Sequence, residues 1–204
     1  MSRLILPRGY LSWTQVSLWK ANPDKYVAHY IYGEASHTND GMDFGSRAAK
    51  ALETGEVDDD EMINTLVTLL SKYEVMEHEI EVDFKTPHGS FTLLGKLDTF
   101  DPKTLMFREY KTGRTPWTLG KARKHGQILQ YCAMIYLKYG KLPPMAHLDW
   151  AQTAYGPEGV YLTGEIKTFL VTKTLREVLM YLSEVSVIAY QIHKRYAEEL
   201  KKII

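Results

Sequence analysis

The sequence predicts one domain of the α/β (α+β) class, with helices that flank a sheet containing an antiparallel meander. Its 204 residues, 45% of them hydrophobic and 25% charged, are enough for a hydrophobic core and have the composition of a folded globular domain. The apolar residues follow a helical period, change to a period of two at Val75, and return to a helical period at the end. The single domain, 1–204, therefore divides into a helical part (11–72), a core (75–171) and a closing helix (174–201).

Local start and stop signals define the first helices. Residues 12–32 are expected to form one helix or two short ones, because Ser12 is an N-cap residue type and Pro23 suits the first turn of a second helix. Residues 42–54 are expected to form a helix that ends at Gly55, since glycine favours the left-handed conformation of a helix C-terminus.

The next helix, residues 59–72, precedes the change of period. Its buried stripe is expected to be Met62, Leu66, Leu69 and Leu70. From Val75 the strand pattern begins, and the residues expected to face the core are Met76, His78, Ile80, Val82 and Phe84. We expect His78 to be a hydrogen-bonded core histidine. Two further turns predict a three-stranded antiparallel meander.

The second and third strands of this meander carry two acids and a lysine. Asp98 lies on the second strand, and the turn at Asp101 brings the third strand back beside it. The period of two places four residues of the third strand on one face: Leu105, Phe107, Glu109 and Lys111. Two carboxylates, of Asp98 and Glu109, therefore meet one ammonium group.

Two interpretations of this hairpin are open from its residues. Carboxylates that share a hard divalent ion beside a cation suit hydrolysis of a phosphodiester, because the ion polarises the phosphoryl oxygen and acidifies water. The alternative is a solvated cross-strand salt bridge, which contributes little to stability. An Asp followed at a distance by Glu-x-Lys is a short pattern with many accidental matches, so the hairpin alone favours the salt bridge.

The remaining elements follow the same rules. A helix is expected over 119–139, with Gln127 and Tyr131 on one face because they are four residues apart. Residues 146–155 and 160–171 are expected to be strands. The closing helix begins with the capping box Thr174-x-x-Glu177, and its apolar stripe is Leu175, Val178, Leu179, Leu182, Val185, Ile188, Ile192 and Tyr196.

Charge is unevenly distributed although the net charge is zero. The stretch from Arg108 to Lys124 holds one acid, Glu109, and six basic residues: Arg108, Lys111, Arg114, Lys121, Arg123 and Lys124. A polyanion could therefore dock beside the hairpin. The acidic run at 53–61 is interpreted as a solvated face.

Taken in chain order, four motifs resemble those of the PD-(D/E)xK nuclease superfamily, and within it the RecB-like branch, which includes CRISPR-associated adaptation nucleases and phage exonucleases. The motifs are Leu11-Ser12-Trp13-Thr14 with Leu18, Pro23 and Tyr26, then Gly95-x-x-Asp98, Glu109-x-Lys111 and Gln127-x-x-x-Tyr131. The resemblance covers about residues 11–139. It implies a restriction-endonuclease-like core with a central mixed sheet.

The resemblance also implies a role for each matching residue. The ligands of one Mg²⁺ or Mn²⁺ would be Asp98, Glu109 and the backbone carbonyl of Tyr110. Lys111 would position or deprotonate the attacking water. Support of the site and contact with the DNA backbone would fall to Gln127 and Tyr131. The candidates for phosphate contacts are Arg114, Lys121, Arg123 and Lys124.

Two positions depart from the pattern of this branch. Its second helix usually carries Gly-x-x-x-His with the histidine as a further metal ligand, whereas here Gly45 is followed by Ala49. Ala49 cannot bind metal, so whether the site holds one metal ion or two is left open. Glu53, one turn later, is an alternative ligand. Asn22-Pro23 stands where iron–sulfur members carry Cys-Pro, and Cys132 is the only cysteine, so no iron–sulfur cluster is expected.

The function expected from this resemblance is a divalent-metal-dependent deoxyribonuclease, more an exonuclease than an endonuclease, in phage or prokaryotic DNA recombination or repair. DNA is the expected partner, and no membrane is expected to be involved. Binding to recombination or repair proteins and formation of a homo-oligomer are left open. The expected location is the cytoplasm, that of the host if a phage encodes the protein. Two alternatives remain: a nuclease-fold protein that has lost turnover and serves as a DNA-binding or assembly subunit, and an unrelated α/β protein in which the hairpin is only a salt bridge.

Overall fold

The computed structural model describes residues 2–35, 39–157 and 159–203. Within these residues, the strands are β1 Tyr10–Leu11, β2 Val75–Thr86, β3 Gly89–Phe100, β4 Phe107–Gly113, β5 Ala146–Gly156 and β6 Gly159–Val171. The helices are α1 Trp13–Ala21, α2 Pro23–Tyr30, α3 Asp40–Thr54, α4 Glu61–Leu69, α5 Leu119–Arg123, α6 Gly126–Tyr139 and α7 Leu175–Ile203.

The six strands form one mixed sheet with β3 and β4 in its interior. β3 pairs antiparallel with β2 along one edge, and along the other it pairs with β1 in parallel and with β4 antiparallel. β4 continues in parallel with β5, and β5 pairs antiparallel with β6. The predicted sheet, including its β2–β3–β4 meander, is confirmed.

Helices cover both faces of this sheet. Trp150 and Ala151 are neighbours on β5 and therefore point to opposite faces. Trp150 belongs to the main hydrophobic cluster, which α1, α2, α6 and α7 complete. Ala151 belongs to a second cluster with α3 and α4. The predicted α+β class, with helices flanking a central sheet, is confirmed by this arrangement.

The first helical segment is two helices rather than one. The Ser12 side chain caps α1, and the Asn22 side chain accepts a hydrogen bond from the Lys25 N–H at 2.9 Å to cap α2. Pro23 occupies the first position of α2, where its missing N–H has no cost. α3 ends as predicted, with Gly55 in the left-handed region at φ 70°.

The buried stripe of α4 differs from the expected one, because Ile63 rather than Met62 faces the core. Ile63, Leu66 and Leu70 are buried, whereas Met62 and Leu69 are 41% and 58% exposed. The helix is short and begins only at Glu61 because the Asp60 side chain caps it. Its core contacts are therefore fixed by Ile63 and Leu66, and the predictions for Met62 and Leu69 are wrong.

Two residues of the meander also differ from expectation. His78 faces the core and stacks on Phe100, with ring centroids 4.5 Å apart, but its buried Nε2 has no hydrogen-bond partner among the described residues. Leu105 lies in the turn before β4 and not on the strand. Its N–H donates to the Asp101 carbonyl to close this turn, and its φ is positive, at 62°. Its side chain nevertheless packs against the same cluster as Phe107.

The closing helix has its predicted capping box. The Thr174 N–H donates to Glu177 Oε2 at 2.8 Å, and the Glu177 N–H donates to Thr174 Oγ1 at 3.3 Å. The buried stripe begins at Val178, and Leu175 and Leu179, which were expected to be buried, are 42% and 50% exposed. In the described part of the chain, no helix is both long enough and apolar enough to cross a membrane.

The helix expected over 119–139 is broken into α5 and α6. His125 has an extended backbone, with φ −68° and ψ 117°, and starts α6. Gly126 lies directly against the ring of Trp13, where an added Cβ would be only 2.0 Å from the nearest ring carbon. The chain therefore turns here because α1 packs closely on the first residue of α6, a long-range contact with no local sequence signal.

We expect Gly126→Ala to lower the free energy of unfolding by about 1–3 kcal/mol, because its methyl group would overlap Trp13. The measurement is chemical denaturation at equilibrium. Gly120→Ala is the matched control in α5, where the nearest atom to an added Cβ is 3.8 Å away. That control should be neutral or stabilise by about 0.5 kcal/mol, and an equal loss in both variants would contradict the close packing at Gly126.

Candidate active site

β3 and β4 separate just where the predicted site residues lie. Their register contains only the pairs Thr99–Arg108 and Phe100–Phe107. Next to these pairs, the Tyr110 N–H donates to Asp98 Oδ2 at 2.6 Å. A carboxylate thus takes a backbone donor beyond the last paired residues, so Asp98 is held at the opening between the two strands.

Glu109 and Lys111 lie on one face of β4, as predicted, and contact each other. Lys111 Nζ is 2.5 Å from Glu109 Oε1. The Glu109 side chain is only 2% exposed, and its second oxygen, Oε2, is buried without a hydrogen-bond partner in the described part of the chain. A buried carboxylate oxygen without a partner is costly. The solvated salt bridge of the alternative interpretation does not describe this pair.

Burial and mutual repulsion perturb the charges at this site. Burial raises the pKa of Asp98 well above its usual range, and the neighbouring Glu109 charge raises it further. Burial also raises the pKa of Glu109, although Lys111 opposes that shift. For Lys111, burial lowers the pKa, but the charge of Glu109, the hydrogen bond to Glu109 and the charge of Asp98 together outweigh it, and the net pKa is raised. Two acids, buried Glu109 and half-buried Asp98, thus lie near one ammonium, which leaves the site short of positive charge.

Helix α6 fixes the lysine from the other side. Lys111 Nζ donates to Gln127 Oε1 at 3.0 Å, and Gln127 Nε2 donates to the Tyr131 hydroxyl at 2.8 Å. Tyr131 in turn donates to the Lys96 carbonyl at 2.6 Å. Gly95 allows this approach, because a Cβ there would be 2.9 Å from the Tyr131 ring. Glu109, Lys111, Gln127 and Tyr131 therefore form one connected group, and Asp98 lines the same cavity as Glu109 and Lys111.

This group opens into a cavity of about 840 Å³ between α3 and the sheet. Ala49 lines it together with other small residues of α3, namely Gly41, Gly45, Ser46 and Ala48. Their short side chains keep the helix from filling the space above Asp98 and Glu109. The far end of the cavity is lined by Arg114 and Tyr155, whose guanidinium and ring are 5.2 Å apart.

Glu77 is a site residue that sequence reasoning missed. Its position on β2 is opposite Asp98, its side chain is 14% exposed, and it lines the cavity. Its backbone is in the left-handed region at φ 48°, which is strained for a residue other than glycine. The alternation of β2 placed Glu77 among the solvent-facing acids, and no glycine or asparagine marks the positive φ, so the sequence held no signal for it.

Lys96 separates Glu77 from the alternative ligand, Glu53. Lys96 Nζ is 2.6 Å from Glu77 Oε2 and 3.3 Å from Glu53 Oε1. The Glu53 side chain is 44% exposed and does not line the cavity. Of the two glutamates, Glu77 is therefore the one placed at the candidate site.

The donor set fits a hard divalent cation. Asp98 and Glu109 line one cavity, and Glu109 Oε2 lacks a hydrogen-bond partner among the described residues. Within that same part of the chain, no three His, Cys, Asp or Glu side chains are grouped around one point. Two carboxylates with several waters is the arrangement that Mg²⁺ prefers, since it gives up its water reluctantly.

The basic run is less uniform than its sequence suggests. Arg108 turns inward and pairs with buried Asp149 at 2.8 Å, so it is not available to a polyanion. The four predicted phosphate contacts, Arg114, Lys121, Arg123 and Lys124, are exposed. The acidic run is only partly a solvated face, because Asp58 pairs with Arg47 and the Asp60 side chain caps α4.

Comparison with known proteins adds evidence on the fold. No family model and no curated protein matches this sequence. A solved structure from Eubacterium rectale, which carries the name "Putative exonuclease", has a TM-score of 0.62 at 13% identity, over 93% of this chain and 83% of that chain. A structure named SSO0001 has a TM-score of 0.48 at 14% identity, over 88% of this chain and 75% of that one. This chain thus shares its fold with the Eubacterium rectale protein, and at this identity the likeness shows the fold alone.

Proposed function

We propose that the protein is a divalent-metal-dependent nuclease that hydrolyses phosphodiester bonds in DNA. The observation that carries this proposal is Glu109, which lines a cavity with Asp98, pairs with Lys111 and has a buried Oε2 without a hydrogen-bond partner among the described residues. Two acids and one cation at the end of an open cavity provide what phosphodiester hydrolysis needs. The fold shared with the Eubacterium rectale protein agrees with this proposal.

Each residue of the group has a defined task in this proposal. Asp98, Glu109 and the backbone carbonyl of Tyr110 would hold Mg²⁺ or Mn²⁺, which when bound polarises the phosphoryl oxygen and acidifies a water. Lys111, whose ammonium donates to Glu109 Oε1 and Gln127 Oε1, would supply a hydrogen bond to the attacking water or to the developing charge. Gln127 and Tyr131 keep its ammonium in place.

We further propose that the enzyme is an exonuclease. A cavity of about 840 Å³ is the size of pockets that enclose one small molecule, so it accommodates a short piece of one strand rather than a duplex. A strand end enters such a cavity more readily than the middle of a long chain. Its role in recombination or repair stays a prediction from the family resemblance.

The test is digestion of end-labelled linear DNA and closed circular DNA with Mg²⁺ or Mn²⁺. We expect the wild type to degrade linear DNA and spare circles, and Asp98→Asn to be inactive. Glu81→Gln, which changes an exposed acid on β2, is the matched control and should retain activity. Cutting of circles would make the protein an endonuclease. DNA binding without cleavage by the wild type would overturn the nuclease proposal in favour of a binding subunit.

A further inference from the structure

Three aromatic rings lie in a row beside the candidate site. Trp117, in the segment between β4 and α5, is partly exposed. Its ring is 5.0 Å from that of His125, and His125 is 6.1 Å from Trp13. Lys121 Nζ lies 4.2 Å from the centre of the Trp117 ring. We call Trp117, His125 and Trp13 the aromatic row.

The aromatic row is close to the catalytic group proposed above. His125 is the N-cap of α6 and precedes Gln127, which accepts the hydrogen bond of Lys111, by two residues. Burial, and then the charges of Lys111 and Lys121, lower the pKa of His125 to about 4. The imidazole is therefore neutral at physiological pH, so the row offers uncharged ring surface next to Lys111.

Four exposed cations lie on the same stretch of chain as Trp117 and His125, and one of them, Lys121, contacts the row. Arg114, Lys121, Arg123 and Lys124 are all exposed, and none of them forms a salt bridge within the residues that the structure describes. Aromatic rings bind bases and cations bind phosphates, and the two together are the composition of surfaces that bind single-stranded nucleic acid. A duplex keeps its bases stacked inside and offers mainly phosphates to such a surface.

We infer that Trp117 is a stacking platform for an unpaired base, and that the substrate of the proposed nuclease is the single-stranded end of DNA. This inference rests on the proposed function and names its substrate class. Lys121 covers one face of the ring where a base would stack, and its flexible ammonium moves to a neighbouring phosphate when the base arrives.

The test is DNA binding without turnover, in EDTA, measured by fluorescence anisotropy. The probes are a labelled oligothymidylate and a blunt duplex of the same length. Trp117→Leu keeps an apolar side chain but removes the ring, and we expect it to weaken binding of the single strand about tenfold. Duplex binding should be unchanged. Trp117→Phe, which retains a ring, should restore most of the lost affinity.

Trp19→Leu is the control for loss of a tryptophan, since Trp19 lies on α1 and bonds to Gln191 of α7, away from the aromatic row. Trp117 also packs against the main core, so thermal unfolding must show that each variant is folded. If Trp117→Leu is not, Trp117→Met takes its place as the variant without a ring, with the same expected results. Unchanged single-strand binding in the folded variant that lacks the ring, or an equal loss for the duplex, would overturn the platform.

The two proposals fail separately. A wild type that binds the oligothymidylate through Trp117 but cleaves nothing would refute the nuclease and leave the platform. A wild type that cleaves DNA, with Trp117→Leu binding the single strand as tightly as before, would refute the platform and leave the nuclease.

Discussion

Glu109→Gln is expected to reduce DNA cleavage about 10³-fold or more and to leave the protein folded. Glutamine keeps the volume of the side chain but removes its negative charge. That charge stabilises a bound catalytic cation by several kcal/mol, and a loss of this size corresponds to a factor of about 10³ in rate. The measurement is the single-turnover rate of cleavage with Mg²⁺. The variant leaves the half-buried ammonium of Lys111 without its carboxylate partner, so we expect a loss of about 1–3 kcal/mol in the free energy of unfolding, small enough for the protein to stay folded.

Metal binding gives the second readout for Glu109→Gln. Mn²⁺ that binds only the folded protein raises its melting temperature, so the wild type should be stabilised and Glu109→Gln should not. Glu81→Gln, which changes an exposed acid of β2, should behave like the wild type in both assays. If Glu109→Gln cleaved DNA at a rate near that of the wild type, Glu109 would have to be a structural residue.

The sequence predicted those parts of the site that follow local regularity. The period of two placed Glu109 and Lys111 on one face of a strand, and the spacing of four placed Gln127 and Tyr131 together on a helix; the hydrogen bonds between them agree with both. The capping box at Thr174 and the glycine end of α3 are local in the same sense.

The missed features depend on contacts between distant segments. Glu77 comes to the cavity through a strained backbone opposite Asp98, and α6 starts late because Trp13 packs on Gly126. The aromatic row joins residues from α1, from the segment before α5 and from the start of α6. No short window of the sequence contains both Trp13 and Gly126, or both Glu77 and Asp98, so neither period nor motif can reveal those contacts.

Lys111→Met is expected to separate turnover from metal binding. Cleavage should fall about 10²- to 10⁴-fold, because the variant lacks the donor that orients water or stabilises the developing charge. In the wild type, Lys111 Nζ is 2.5 Å from Glu109 Oε1 and competes with any cation for that carboxylate. The variant lacks this ammonium, so its affinity for Mn²⁺ should rise. The measurements are single-turnover cleavage and calorimetric titration with Mn²⁺.

Lys111→Met is expected to cleave DNA more slowly but to bind Mn²⁺ more tightly, and these opposite changes distinguish two roles of the residue. A residue that only supports the fold would weaken cleavage and metal binding together, whereas a competing cation with a catalytic task must weaken one and strengthen the other. Lys85→Met, on an exposed lysine of β2, controls for the loss of one positive charge and should change neither. If Lys111→Met bound Mn²⁺ more weakly than the wild type, Lys111 would be needed to position the carboxylates that bind the metal ion. The gain in affinity argued from its contact with Glu109 would then be wrong.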